Sequence, residues 1–131
     1  MTDAPTYSVD EARALLPEIR GTLLAVAVER RRAGAAHAGL HRELRGAADR
    51  SPDLQAALEH RTADLRAGVK ALLEHLESLG VVVRDLDAGL IDIPTIRDGE
   101  PAWLCWRLSD PELAWWHTTS EGFTSRRALL A

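Results

Sequence analysis

The stretch LIDIPTIRDGEPAWLCWRL, residues 90–108, decides the fold of the C-terminal part of this chain. Apolar residues recur on both sides of Asp98-Gly99, and an Asp-Gly pair between two such segments is a strong short-range signal for a β-hairpin. The stretch therefore predicts two antiparallel strands, at 90–96 and 102–108, joined by a two-residue turn.

The lengths of the turns determine which residues face each other across the predicted strands. The two-residue turn places Asp92 opposite Cys105, because every step away from the turn pairs the next two residues. Upstream, residues 81–86 form a further strand and residues 87–89 a turn. A three-residue turn there places Arg84 opposite Asp92, so we expect these two side chains to form an ion pair.

The two faces of the predicted sheet differ sharply in chemistry, since successive side chains of a strand point to opposite faces. One face is apolar and should pack on helices; it carries Val81, Val83, Ile91, Ile93, Leu104, Trp106 and Leu108. The other face is charged, aromatic and thiol-bearing; it carries Arg84, Asp92, Trp103, Cys105 and Arg107.

Two residues of the sheet keep alternatives open. His117 lies on a fourth strand, 113–118, and a four-residue turn before it would put the imidazole on the apolar face. A three- or five-residue turn would put it beside Trp103 or Cys105 instead. Pro94 donates no hydrogen bond, so it requires a bulge or an edge position in its strand.

Two helical stripes precede the sheet. Ser8 and Glu11 have the spacing of a capping box, and Pro17 predicts either a bend or a helix that begins there. Apolar or small residues then recur at helical spacing at Val9, Ala12, Leu16, Ile19, Leu23 and Val26. A second stripe, which ends at Gly80, consists of Leu58, Thr62, Leu65, Val69, Leu72, Leu76 and Leu79.

These elements predict an α+β fold in a single domain, 1–131. A long antiparallel helical hairpin, 8–50 and 52–79, packs on a small antiparallel sheet of three to four strands within 81–119, and 120–131 form a tail. The two stripes can bury only one side of each helix, and all four tryptophans fall between Trp103 and Trp116. We therefore expect a homodimer, because tryptophan is enriched at protein interfaces.

Composition excludes several classes of protein. The 131 residues include 16 basic and 20 acidic side chains, a net charge of −4 that argues against a nucleic-acid binder. The longest apolar runs are too short to span a membrane, and the N-terminus lacks the pattern of a signal peptide. A lone cysteine excludes an internal disulfide framework and suits a reducing compartment, so we expect a cytoplasmic protein.

Asp92, Cys105 and His117 are the candidate reactive residues. They have the residue types of a nucleophile, base and orienting group, and also of a zinc site, with Asp85, Asp87 and Glu112 nearby in sequence. The alternative is a buried structural cysteine beside a hydrogen-bonded histidine. A second possible metal site consists of His37, His41 and His60, which are otherwise solvated surface histidines.

The chain also resembles the bacterial family known as domain of unknown function 2203. The resemblance rests on Glu11-Ala12 with Leu15-Leu16-Pro17, Asp85-Leu86-Asp87, Gly89-Leu90, Asp92, Pro94, Arg97-Asp98-Gly99, Leu104-Cys105-Trp106-Arg107, Trp116-His117, Gly122-Phe123 and Arg126. It implies an intracellular bacterial protein and no particular activity. The three-histidine set is not part of the family's pattern.

The sequence thus favours a non-enzymatic binding or interaction module whose ligand it does not name. The candidate binding residues are Arg84, Asp92, Cys105, Arg107, Trp116, His117 and Arg126. The alternative is a metal-binding protein or metal-dependent hydrolase that holds zinc with Asp92, Cys105 and His117. A third hypothesis is a cysteine-dependent enzyme or redox sensor, so the question of enzymatic activity stays open.

Overall fold

Two helices precede an antiparallel sheet in the computed structural model of the chain, which describes residues 5–46 and 52–129. The helices are α1 (Val9–Gly46) and α2 (Pro52–Ser78). The strands are β1 (Val82–Asp85), β2 (Leu90–Arg97), β3 (Glu100–Trp106), β4 (Trp115–Thr118) and β5 (Arg127–Ala128). Each strand pairs with the next in the order β1-β2-β3-β4-β5. The predicted α+β fold is confirmed.

The part of the chain predicted to be a tail supplies the fifth strand, which corrects the expected three to four. A single 3₁₀ turn, Phe123–Ser125, reverses the chain after β4. The strand β5 then pairs with β4 through Trp115 and Trp116. A two-residue strand has no alternation to read, so the sequence pattern could not reveal it.

Local signals in the sequence explain where α1 begins and where α2 ends. The capping box is confirmed: the Ser8 N–H donates to Glu11 Oε1 at 2.9 Å, and the Glu11 N–H donates to Ser8 Oγ at 3.1 Å. Gly80 ends α2 with a φ of 81°, a conformation that glycine adopts without steric cost. The helix α1 runs through Pro17, so the alternative in which it begins there is wrong. The predicted end of the first helix, at residue 50, lies outside the described residues.

The Asp98-Gly99 hairpin forms as predicted. Asp98 and Gly99 have φ values of 52° and 79°, as a two-residue turn of type I′ requires. Asp92 lies opposite Cys105. Pro94 causes no bulge in the pairing of β2 with β3. It lies beyond the last β2 residue that pairs with β1, where its carbonyl accepts a hydrogen bond from the Tyr7 N–H at 2.8 Å.

The register between β1 and β2 corrects one prediction. Val82, not Arg84, lies opposite Asp92, because the turn is one residue longer than predicted and the pairing is irregular between Val83 and Asp85. Asp85 Oδ1 accepts hydrogen bonds from two backbone N–H groups of the turn, at 3.0 and 3.3 Å. This side-chain contact stabilises a four-residue turn, 86–89, where the sequence predicts three residues.

The chain divides into two compact units, residues 1–23 with 75–131 and residues 24–74. In the first unit the apolar sheet face packs on the N-terminal part of α1 and the C-terminal end of α2, as predicted. Its buried core consists of Ala12, Ile19, Leu23, Leu76, Val81, Ile91, Ile93, Leu104, Trp106 and Leu113. Burial of this apolar surface is the main favourable term that holds the sheet against the helices.

The second unit contains the remaining parts of the two helices. Val26 and Thr62, one from each predicted stripe, are buried, and the Thr62 hydroxyl donates to the Leu58 carbonyl at 3.0 Å. Leu24 and Val28 are exposed one turn apart on α1.

The homodimer and the single domain stay predictions. Within the described residues, neither helix has the length and apolar character that crossing a membrane demands.

Candidate functional site

The sheet register brings three reactive side chains together from three adjacent strands. Asp92 on β2 lies opposite Cys105 on β3, and His117 on β4 lies opposite Trp103. His117 is therefore on the charged face. Its pairing with Trp103 is the one expected for a three-residue turn between β3 and β4. The chain between β3 and β4 nevertheless forms a loop, 107–114, because pairing stops after Cys105.

The three side chains form a compact buried cluster, which we call the Asp-Cys-His cluster. Asp92, Cys105 and His117 are 2%, 1% and 2% exposed. One carboxylate oxygen, the Sγ atom and one imidazole nitrogen all lie within 4.8 Å of one another. Within the described residues, this is the only group of three such side chains close enough to share a metal ion.

Hydrogen bonds determine the tautomer of His117. The Nδ1 atom lies 2.8 Å from the Thr118 carbonyl oxygen, which can only accept, so Nδ1 carries a proton. Nε2 lies 3.0 and 3.1 Å from the two carboxylate oxygens of Asp92. Nε2 therefore donates a second proton to the carboxylate, accepts a proton from the carboxyl group, or offers its lone pair to a cation.

Arg84 approaches the cluster from β1. Its Nε donates to Asp92 Oδ2 at 2.9 Å, so the predicted ion pair is confirmed although the predicted register is wrong. The guanidinium also stacks over the Trp103 ring, with 5.1 Å to the ring centroid. The side chain is 46% exposed, so Arg84 connects the buried carboxylate to solvent.

Cys105 is not an activated nucleophile in this arrangement. Burial, followed by the charge of Asp92, raises the pKa of the thiol to about 11, and the nearby Arg126 guanidinium only partly opposes this rise. A thiol with this pKa is protonated at neutral pH, whereas a catalytic cysteine reacts as the thiolate. The raised pKa of the thiol argues against a cysteine-dependent enzyme, which stays an untested hypothesis.

The partners that hold Arg126 were not predicted from the sequence. Its Nη1 donates to Asp110 Oδ2 at 2.8 Å. The guanidinium lies 4.7 Å from the ring centroid of Trp115 and 4.3 Å from that of Phe123. Arg107 also binds Asp110, through its backbone N–H at 3.2 Å and its Nε at 3.4 Å. In the sequence, Asp110 falls between the third and fourth predicted strands, a position that gives no sign of a buried carboxylate between two arginines.

A cleft of about 380 Å³ opens beside the Asp-Cys-His cluster. The segment that follows β4 forms one side of it, and this segment was predicted to be a tail. The lining residues are Arg84, Leu90, Asp92, Cys105, His117, Thr119, Glu121, Gly122 and Phe123. The cluster is therefore buried in the sheet but borders a space that can hold a small molecule.

The chain matches a family of uncharacterised conserved proteins, domain of unknown function 2203, over residues 6–129. The chain belongs to this family. The curated proteins give no match, and neither do the solved structures. Membership of domain of unknown function 2203 confirms the resemblance and names no activity.

The candidate binding residues predicted from the sequence do not all meet at one place. Arg84, Asp92, Cys105 and His117 border one cleft, and Arg126 lies beside Cys105. Trp116 lies opposite Leu104 on the other face of the sheet, where it packs against the core. The guanidinium groups of Arg97 and Arg127 stack on its ring. Its neighbour Trp115 lies on the charged face instead. The sequence predicts that two adjacent tryptophans of a strand point to opposite faces, but not which of them lies on the charged one.

The other candidate ligands lie away from the cluster. Asp85 caps the turn after β1, and Asp87 and Glu112 are not members of the cluster. His60 is exposed and lies 3.7 Å from Asp64. The side chain of His41 lies outside the described part, so the three-histidine site stays untested.

The Asp110 carboxylate should make stability depend on pH in the acid range. Burial raises the pKa of Asp110, but hydrogen bonds from Arg126 and Arg107 outweigh it and leave the pKa below the usual 3.8. The carboxylate therefore stabilises the fold fully above that value, and the contribution is lost as the pH falls through the folded-state pKa. Asp110→Asn should lower the free energy of unfolding by about 1.5–3 kcal/mol at neutral pH.

Urea unfolding of Asp110→Asn and the parent protein between about pH 6 and about pH 3 measures this effect. The difference between the two should shrink below about pH 4. The matched control is Asp64→Asn, whose carboxylate is exposed. A difference that stays constant down to the lowest pH would contradict the role of the ionised carboxylate.

Proposed function

We propose that this protein binds a divalent transition metal ion, with zinc as the best match, through Asp92, Cys105 and His117. One observation carries the proposal: a carboxylate oxygen, a thiol sulfur and an imidazole nitrogen lie buried within 4.8 Å of one another. Carboxylate, thiolate and imidazole are the three side-chain groups that zinc sites in proteins use.

The spacing of the donor atoms supports the proposal. Ligand atoms of a tetrahedral zinc ion lie about 3.3–3.6 Å apart, given bonds of about 2.0–2.3 Å to N, O and S. The Nε2 atom of His117 is 3.0 Å from Asp92 Oδ1, and the third donor is within 4.8 Å. Side-chain movements of a few tenths of an ångström to about 1 Å would bring the three donors around one ion.

The hydrogen bond of His117 to the backbone supports the same assignment. A metal-binding histidine commonly donates its second ring N–H to a carbonyl or carboxylate, which fixes the tautomer and the orientation of the ring. The Nδ1–H to Thr118 carbonyl bond, at 2.8 Å, is of this kind. This bond leaves the Nε2 lone pair to bind the metal on the side of Asp92 and Cys105.

The electrostatics of the cluster also favour a dication. The raised pKa of Cys105 reflects burial and the neighbouring Asp92 carboxylate, and both effects would be offset by a positive ion between the two groups. A bound metal displaces the thiol proton, so the two negative ligands balance the two charges of the ion. A single cysteine ligand suits the cytoplasmic location expected from the sequence.

Three protein ligands leave one tetrahedral position for an external ligand. The cleft beside the cluster offers space for that ligand. We therefore infer that the metal serves ligand binding at the charged face of the sheet. The two hypotheses that the sequence left open, a binding module and a metal-binding protein, then describe one site.

Elemental analysis of protein purified without a histidine tag tests the proposal. We expect about one zinc ion per chain, and clearly less than half of this content in Cys105→Ser and His117→Gln. The matched control is His75→Gln, because His75 pairs with Glu18 at 2.8 Å on the surface, away from the cluster. This control should keep the full metal content.

A second measurement covers variants that fold poorly. Removal of the metal from the parent protein by a chelator should lower its melting temperature, and added zinc should restore it, because an ion that binds only the folded state stabilises that state. If the parent protein contains no transition metal and its melting temperature does not respond to zinc, the proposal is wrong. In that case Asp92 and His117 form a buried structural hydrogen bond.

A further inference from the structure

We propose that the cleft beside the cluster binds a small monocarboxylate with a short apolar chain, whose carboxylate lies between the metal and Arg84. The inference rests on the proposed metal site and names the ligand class of that site. The charges, the free hydrogen-bond donors and the walls of the cleft each contribute to it.

Arg84 supplies the hydrogen-bond donors. Its Nε is committed to Asp92, and no other hydrogen bond from its guanidinium reaches the described residues. Among the described residues the two Nη groups therefore have no acceptor, and Arg84 lines the cleft. The Trp103 ring under the guanidinium, at 5.1 Å, holds the orientation of the group. A planar guanidinium held in this way recognises a carboxylate through paired, charge-assisted hydrogen bonds.

The net charge of the cleft favours a single negative charge. With a dication bound, the Asp92 carboxylate and the Cys105 thiolate neutralise the metal, and Arg84 adds one positive charge. The remaining acid, Glu121, is already engaged: it accepts hydrogen bonds from Thr118, which hold its pKa below the usual value, and it pairs with Arg127 at 3.0 Å. The metal, its two anionic ligands and Arg84 together thus carry one positive charge, which a monoanion balances.

The walls of the cleft favour a small ligand with an apolar part. Leu90 and Phe123 are the two large apolar residues of its lining. Phe123 is fixed by the guanidinium groups of Arg126 and Arg107, at 4.3 and 4.8 Å from its ring centroid. A volume of about 380 Å³ lies at the lower end of the range for ligand pockets. A short-chain carboxylate fits both features, whereas inorganic phosphate would leave the apolar walls unused.

Titration calorimetry of the zinc-loaded full chain with butyrate tests the inference, with 1-butanol and inorganic phosphate as comparison probes. We expect 1:1 binding of butyrate, with binding of the other two probes at least about tenfold weaker. Metal-free protein should also bind butyrate at least about tenfold more weakly, because the carboxylate loses its contact with the ion.

Variants of Arg84 test the role of the guanidinium. Arg84→Gln and Arg84→Lys should each weaken butyrate binding at least about tenfold, measured on protein loaded with one zinc ion per chain. Arg84→Lys keeps a cation beside Asp92, so it covers the case in which the glutamine variant folds poorly. The matched control, Arg97→Gln, removes the same charge from a guanidinium that stacks on Trp116 away from the cleft, and should bind butyrate normally.

The outcomes separate the two proposals. One zinc ion per chain without butyrate binding overturns the ligand inference and leaves the metal site standing. Absence of zinc overturns both. Equal binding of phosphate or 1-butanol overturns the carboxylate class, and unchanged binding by Arg84→Lys overturns the guanidinium as the recognition group.

Discussion

Asp92→Ala should lower the free energy of unfolding by about 3–5 kcal/mol, because removing one member of a buried charged pair leaves its partners uncompensated. The Asp92 carboxylate is 2% exposed and contacts His117 at 3.0 Å and Arg84 at 2.9 Å. Arg84 can turn to solvent, but His117 is 2% exposed and cannot. Urea unfolding in the presence of a chelator measures the effect of the protein contacts alone.

The chain contains its own matched control for this substitution. Asp64 also pairs with a histidine, His60, but the two side chains are 71% and 82% exposed and 3.7 Å apart. Asp64→Ala should therefore change the stability by less than about 1 kcal/mol. Equal effects of the two substitutions would mean that burial of Asp92 has no energetic consequence, and the description of the cluster would be wrong.

Trp106→Ala should be about as damaging, with a loss of about 3–5 kcal/mol, since truncation of a buried aromatic side chain leaves a cavity in the core. Trp106 is 0% exposed and packs in the core cluster between the sheet and the helices. The Arg20 guanidinium lies 5.1 Å from its ring centroid. The loss should appear as a lower denaturation midpoint at an unchanged slope.

Trp106→Phe provides the comparison, because it separates the packing of the ring from the indole N–H. The Nε1 atom is buried and has no hydrogen-bond partner among the described residues. A buried donor without a partner costs about 1–3 kcal/mol, so its removal offsets part of the lost contact area. Trp106→Phe should therefore cost less than about 1.5 kcal/mol. A cost equal to that of alanine would show that the N–H does have a partner.

Both large effects arise from the alternation of side chains along three adjacent strands. Trp106 lies on the face that packs against the helices, and Cys105, its neighbour in the chain, lies in the Asp-Cys-His cluster. A shift of one residue in the register would exchange the two faces. The hairpin turn that sets this register therefore controls the core and the candidate site together.

The sequence by itself determined the features that depend on contacts close along the chain. The turn at Asp98-Gly99 set the pairing of Asp92 with Cys105, and both faces of β2 and β3 followed from it. The capping box at Ser8 and the end of α2 at Gly80 were also predicted from the sequence and are confirmed. In each case a few adjacent residues carry the whole signal, since turns and helix caps are formed by local hydrogen bonds.

Only the tertiary structure decided the features that depend on residues far apart in the chain. His117 joined the cluster because β4 pairs with β3 after a loop of eight residues, a connection whose length has no unique turn. The ion pair between Arg126 and Asp110 forms because β5, a two-residue strand, brings the chain back to β4. The cleft exists for the same reason, as the segment after β4 lies beside the charged face. Spacing in the sequence carries no trace of these contacts, because they form through packing and charge pairing once the sheet is assembled.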